Sequence, residues 1–126
     1  MKIGFTVGVW DLLHEGHRIF MGKCRGECDY LVVGVMTDYW VRVQKGHDRP
    51  KESLQKRMEN VRPFADRVIA INTLNMRHYL QMSDVWIKSV EQKNMLPEEW
   101  PNTVWLPRTP GVSTTEIIER KEEASQ

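Results

Sequence analysis

The stretch Tyr30-Leu31-Val32-Val33-Gly34-Val35-Met36 contains no charged residue and no apolar–polar alternation. A strand with one face in water alternates; a continuous apolar run needs cover on both faces. A parallel sheet between two helical layers provides that cover. Ile3, Phe5 and Val7 alternate with Lys2, Gly4 and Thr6 and predict a first strand that ends at Gly8. Further strands are expected at Arg67–Ile71, Asp84–Ile87 and Thr103–Leu106. Helical spacing predicts a helix from about Gly16 to Gly26, one over Glu52–Arg62 limited by Pro63, and a short one over Met76–Met82. Thr37–Lys51 reads as a polar, basic stretch broken by Gly46 and Pro50, and Gln92–Asn102 as a loop. Ser113 opens a last helix anchored by Ile117 and Ile118, and Ser113 with Glu116 has the spacing of a capping box. Five short strands interleaved with helices give an α/β fold with a five-stranded, mainly parallel sheet, in one domain over residues 1–126.

Composition narrows the function classes. A chain of 126 residues can bury about two-thirds of the surface its unfolded form exposes. A core without disulfides is therefore feasible, and Cys24 and Cys28, the only cysteines, read as reduced thiols. A net charge of +1 gives no support for a general nucleic-acid or membrane binder. No apolar run approaches the ~20 residues needed to span a bilayer. Met1–Val7 begins a strand directly, without the pattern of a signal peptide, so the expected location is the cytoplasm.

The chemistry gathers in the segment after the first strand, Gly8-Val9-Trp10-Asp11-Leu12-Leu13-His14-Glu15-Gly16-His17. An α/β sheet places ligands there, at the carboxyl end of a strand and the amino end of a helix. Gly8 is expected to let a ligand approach the backbone, and Gly16 to do the same at a helix start whose amides favour an anion. Two imidazoles three residues apart can both reach one phosphate and offset charge that builds on its oxygens. A zinc site from His14, His17, Cys24 and Cys28 is the competing reading, although the cysteines lie further along the helix.

His14-Glu15-Gly16-His17 resembles the H-x-G-H signature of the nucleotidylyltransferase superfamily. Arg108-Thr109-Pro110-Gly111-Val112-Ser113-Thr114-Thr115 is similar to the R-T-x-G-[IV]-S-T-[TS] signature of its cytidylyltransferase branch. The likeness continues through Asp29–Val33, Thr37-Asp38, and Lys45-Gly46 with Pro50, which resemble the K-G-x-x-P loop. The length is close to that of the small glycerol-3-phosphate cytidylyltransferases. The resemblance implies a Rossmann-like three-layer sandwich that transfers CMP from CTP to a phosphorylated small alcohol, glycerol 3-phosphate by size, and releases pyrophosphate. It implies catalytic roles for His14, His17, Lys45 and Arg108. It also implies a nucleotide site made by Gly8, Val9, Trp10, Asp11, Gly16, Thr109, Ser113 and Thr114, and an acceptor contact from Arg57. Mg²⁺ is expected with the triphosphate, and a homodimer is expected by the same likeness.

The chain departs from that pattern in places. The stretch after the fourth strand reads Lys88-Ser89-Val90-Glu91-Gln92 in place of a G-D-D-like sequence, and Glu15 stands between the histidines. An adenylyltransferase on the same scaffold and a non-catalytic nucleotide-binding homologue remain alternatives. Most of the basic residues between Arg42 and Arg57 read as a solvated face. A nucleic-acid platform is not expected there, because only Tyr39 and Trp40 accompany them.

Overall fold

The computed structural model describes residues 1–46, 48–89 and 102–106. In chain order these form β1 (Ile3–Gly8), α1 (Glu15–Arg25), β2 (Tyr30–Met36), α2 (Asp38–Lys45) and α3 (Leu54–Val61). A 3-10 turn (Arg62–Phe64), β3 (Arg67–Ile71), α4 (Met76–Met82), β4 (Val85–Ser89) and β5 (Thr103–Leu106) follow. The strands join into one sheet of order β3-β2-β1-β4-β5. All four pairings are parallel, so the sheet expected to be mainly parallel is wholly so.

The uncharged run Tyr30–Met36 is β2 and lies beside β1, with Ile3 opposite Tyr30 and Gly8 opposite Val35. Its side chains divide between two cores, as a strand covered on both faces requires. Val32 and Met36 join Phe5, Val7, Ile69, Ile71 and Trp86 under α2 and α4, which contribute Trp40, Val41, Met76 and Leu80. Leu31, Val33 and Val35 join Val85, Ile87 and Leu106 under α1 and α3, which contribute Met21, Cys24 and Val61. Helices on both faces of a parallel sheet make the expected three-layer sandwich.

Three aspartates set the strand register. Asp29, Asp66 and Asp84 each stand immediately before a strand and accept an amide from its neighbour. Lys2 donates to Asp29 at 2.7 Å, Leu31 to Asp66 at 2.8 Å and Ile3 to Asp84 at 2.7 Å. Each bond satisfies an amide at the amino end of the sheet.

Several boundaries differ from the sequence expectation. The largest difference is α2, a helix where Thr37–Lys51 reads as a polar stretch. Trp40 and Val41 bury 95% or more of their surface on the sheet, and that packing outweighs the high charge around them. The helix expected over Glu52–Arg62 is shorter, because Ser53 caps it by accepting the amide of Lys56 at 3.2 Å and Pro63 turns its end into the 3-10 turn. The first helix begins at Glu15 rather than Gly16 and ends at Arg25, so Cys28 lies beyond it. β4 runs over Val85–Ser89 rather than Asp84–Ile87. The expected helix at Ser113 and most of the Gln92–Asn102 loop lie outside the described residues.

Candidate active site

The chain leaves β1 toward β2 on one side of the sheet, while β4 and β5 lie on the other. The carboxyl end of β1 is therefore the point where strand order reverses, and such points hold ligands in open α/β sheets. The segment from Val9 to His17 occupies that position, between β1 and the start of α1.

His14 is the N-cap of α1 and has extended backbone, with φ −127° and ψ 178°. Its Nδ1 accepts the amide of His17 at 3.4 Å, and the Nδ1 of His17 accepts the amide of His14 at 3.2 Å. This is a capping box built from two imidazoles in place of the usual hydroxyl and carboxylate. The rings stack with centroids 3.8 Å apart and planes 18° apart. An imidazole whose Nδ1 accepts a hydrogen bond carries its proton on Nε2. The cap thus sets the tautomer of both rings and makes each Nε2 a donor. Burial, reinforced by the charges of His14, Lys45 and Arg18, pushes His17 down to about 3. It is neutral at ordinary pH. Lys45, the last residue of α2, is exposed and lies within electrostatic reach of His17. The structure thus brings His14, His17 and Lys45 to one end of the sheet.

Other expected site residues serve the framework of this loop. A Cβ at Gly8 would lie 2.9 Å from the Trp10 indole, so the space expected for a ligand is filled by a side chain of this protein. Trp10 was expected to line the nucleotide site. It is 4% exposed, and its Nε1 donates to the Gly34 carbonyl of β2 at 3.0 Å. The Trp10 and His17 ring centroids lie 5.5 Å apart in an edge-on arrangement, so Trp10 packs against the histidine. Val9 is half-buried and packs on the core beneath β1. Gly16 is buried in the first turn of α1.

Asp11, also expected to line the nucleotide site, is fully buried. Its carboxylate accepts the amides of Lys51 at 2.8 Å and Glu52 at 3.0 Å and lies 3.5 Å from the Arg49 guanidinium. Arg57 is the clearest correction. Expected to face an acceptor, it is fully buried. It donates to the carbonyls of Val9 (2.9 Å), Met36 (2.8 Å) and Glu52 (3.1 Å) and pairs with the Asp38 carboxylate. A guanidinium is suited to this work because it offers five N–H groups in one plane. Four are committed to tying the exits of β1 and β2 to α2 and α3.

Two features escaped the sequence reading. Glu52 accepts the amide of Leu12 at 2.7 Å. Lys88, fully buried near the end of β4, has its ammonium 4.5 Å from the Trp86 ring and 4.4 Å from the Trp105 ring. A lysine closing the apolar run Val85-Trp86-Ile87 was the available signal for the second. The first carried no local signal. Arg108, Thr109, Ser113 and Thr114 lie outside the described residues.

Metal chemistry finds little support in these side chains. Among the described residues no group of three or more His, Cys, Asp or Glu is gathered as a metal ion would require. Burial pushes Cys24 up to about 12, and Cys28 is also raised by burial, so both thiols are protonated. Cys24 is buried in the core under α1 and Cys28 lies beyond that helix, so the structure does not gather the two cysteines with His14 and His17. No described helix is long and apolar enough to cross a membrane.

Comparison with known proteins settles the family. The model of the cytidylyltransferase-like family matches residues 5–105. The chain belongs to the cytidylyltransferase-like family. As a member it is a nucleotidyltransferase, and its matched segment runs from the middle of β1 into β5. It is 34% identical to the bifunctional protein HldE of Hyphomonas neptunium over 97% of this chain and 27% of that protein. It is 33% identical to the bifunctional protein HldE of Paramagnetospirillum magneticum over 94% of this chain, again 27% of that protein. The chain thus spans about a quarter of the length of these relatives. Among solved structures, the lipopolysaccharide core biosynthesis protein from Thermoplasma volcanium superposes with a TM-score of 0.66 at 19% identity. The match covers 99% of this chain and 89% of that one. Pantoate-beta-alanine ligase from Francisella tularensis, complexed with beta-gamma ATP and beta-alanine, has a TM-score of 0.54 at 15% identity, over 99% and 70% of the two chains. These structural likenesses carry the fold.

Proposed function

We propose that this nucleotidyltransferase transfers CMP from CTP to a phosphorylated small alcohol, glycerol 3-phosphate being the favoured acceptor, with release of pyrophosphate. The observation that supports this most is the reciprocal imidazole cap. It engages both Nδ1 atoms and so assigns the ring proton to Nε2 in each histidine at the start of α1. Attack of an acceptor phosphate on the α-phosphorus builds charge on its non-bridging oxygens, and fixed donors at a helix start stabilise that charge without reorganising. A neutral His17 suits the task, since it can hydrogen-bond phosphate without holding the pyrophosphate product by full charge. Lys45, at the end of α2 and electrostatically coupled to His17, supplies the full positive charge for the triphosphate.

In this proposal Arg108 adds a bidentate fork, and Thr109, Ser113 and Thr114 hold the nucleotide, following the likeness of that segment to the R-T-x-G-V-S-T signature. Mg²⁺ arrives as part of the triphosphate substrate, held by phosphate oxygens, and no step depends on a protein ligand to it. A homodimer and a cytoplasmic location complete the reading.

The test is pyrophosphate release with CTP, ATP, GTP and UTP against a panel of phospho-alcohols. CTP turnover that disappears when His14 and His17 are both replaced by alanine is the expected result. Turnover that survives the double replacement refutes the role of the cap. A preference for ATP moves the chain to adenylyl transfer. Binding of CTP without product for any acceptor makes it a nucleotide-binding homologue.

A further inference from the structure

We propose that Glu52 is a positioning residue for the histidine pair. It acts through a reciprocal clasp in which each of two loops lends a carboxylate to the other's amides. The inference rests on the reading of His14 and His17 as phosphate donors. The loop after β1 holds two non-glycine residues in the left-handed region, Trp10 at φ 57° and Leu12 at φ 50°. Side chains with a Cβ disfavour that region, and it persists only where surrounding contacts impose it.

The contacts are on hand. Arg57 takes the Val9 carbonyl and Gly34 takes the Trp10 indole N–H. Glu52 Oε1 accepts the Leu12 amide at 2.7 Å. This last bond lies two residues before His14, closest to the imidazole cap. The Asp11 carboxylate returns the grip by accepting the amides of Lys51 at 2.8 Å and Glu52 at 3.0 Å. The arrangement reproduces the logic of a capping box across 40 residues of sequence.

Ser53 caps α3, so the Glu52 carboxylate is not spent on that cap. Its Oε1 accepts the Leu12 amide at 2.7 Å, and its Oε2 accepts the Asn60 side-chain amide of α3 at 3.5 Å, which anchors the carboxylate between helix and loop. The clasped segment also follows closely on Lys45. The Arg49 guanidinium lies 3.5 Å from Asp11, and the Arg49 amide donates to the Gly46 carbonyl at 3.3 Å. One clasp therefore sets the backbone leading to His14 together with Arg49, Lys51 and Glu52.

The test compares the full chain with Glu52→Ala and Glu52→Gln. Three measurements are made: hydrogen exchange at the Leu12 amide, histidine ring nitrogen resonances, and pyrophosphate release. Glu52→Ala should exchange Leu12 faster, shift the ring resonances of His14 and His17, and lower kcat by about 10- to 100-fold, the size expected for a small misplacement of catalytic groups. KM for the triphosphate should move by less than about threefold, because the loss falls on the transition state. Glu52→Gln keeps a carbonyl oxygen in reach of Leu12 and should restore all three. Unchanged ring resonances and kcat in Glu52→Ala, with only a lower thermal midpoint, would make the residue merely structural and overturn the proposal. If Glu52→Ala does not fold, Glu52→Asp decides, being one methylene too short for Leu12; wild-type rings and kcat in that variant overturn the proposal equally. A wild-type chain that turns over no triphosphate refutes the functional reading instead, and the exchange and ring signals still decide the clasp.

Discussion

The imidazole cap ties protein stability to pH through His17, and the size of that link can be worked out. In the unfolded chain His17 titrates at the ordinary histidine value of 6.5, whereas in the fold burial holds it at about 3. Between these values the unfolded chain binds a proton that the native protein does not. Stability from this residue is therefore complete above pH 6.5 and is lost as the pH falls toward 3. Each pH unit within that window costs about 1.4 kcal/mol, so going from about pH 8 to about pH 5 removes about 2 kcal/mol through His17 alone. Glutamine at this position can still accept the His14 amide, as it does in an ordinary capping box, but does not titrate. The assay is urea unfolding of wild type and His17→Gln at both pH values. Titrating groups remote from His17 cancel in the double difference. Wild type should lose about 2 kcal/mol more than the variant, or about 1 M in urea midpoint at a slope near 2 kcal/mol per molar. Stability curves that run parallel with pH would show that His17 is not held neutral by the fold and that its Nδ1 is not fixed as an acceptor.

Further outcomes follow from the framework around the site. Arg57→Met should cost about 3–5 kcal/mol in urea unfolding, because it leaves the Asp38 carboxylate and two strand-end carbonyls without their partner; near-wild-type stability would deny the hub. Gly8→Ala should cost about 1–3 kcal/mol, since the new methyl meets the Trp10 indole, and indole fluorescence should report the displacement. Cys24, fully buried and with its thiol pushed up to about 12, should resist a thiol reagent at neutral pH until the chain is unfolded. Sedimentation at working concentration should give twice the 14.8 kDa chain mass, and a monomer would remove the proposed dimer.

Much of this protein is legible in its residues. The uncharged run at 30–36 implies a parallel strand, and the spacing at 67–71, 76–82 and 103–106 yields elements with the observed bounds. The sequence also put the histidine pair at the start of a helix, one residue away from its observed bound at Glu15. Three residues is both the reach to one phosphate and the separation of N-cap and N3, so His14 and His17 could be read for chemistry before the cap was visible. The helix α2 was less legible, because its two core side chains, Trp40 and Val41, stand among charges and only contact with the sheet reveals which face matters.

The roles of Gly8, Trp10, Asp11, Arg57 and Glu52 belong to the tertiary structure. Sequence places an aspartate and a tryptophan near a phosphate-binding turn, where they read as ligand contacts. Folding instead fills the space above Gly8 with the Trp10 indole. It sets Asp11 against amides 40 and 41 residues away and spends the Arg57 guanidinium on two strand ends. The physical reason is general. Local sequence determines which backbone a segment favours, because propensity, capping and periodicity act over a few residues. Which polar group meets which amide is decided only when distant segments are packed so closely that none can be left without a partner. For this chain the sequence determined an uncharged interior strand and a histidine pair at a helix start. Only the packed sheet decided that the charges around that pair serve mostly to hold it still.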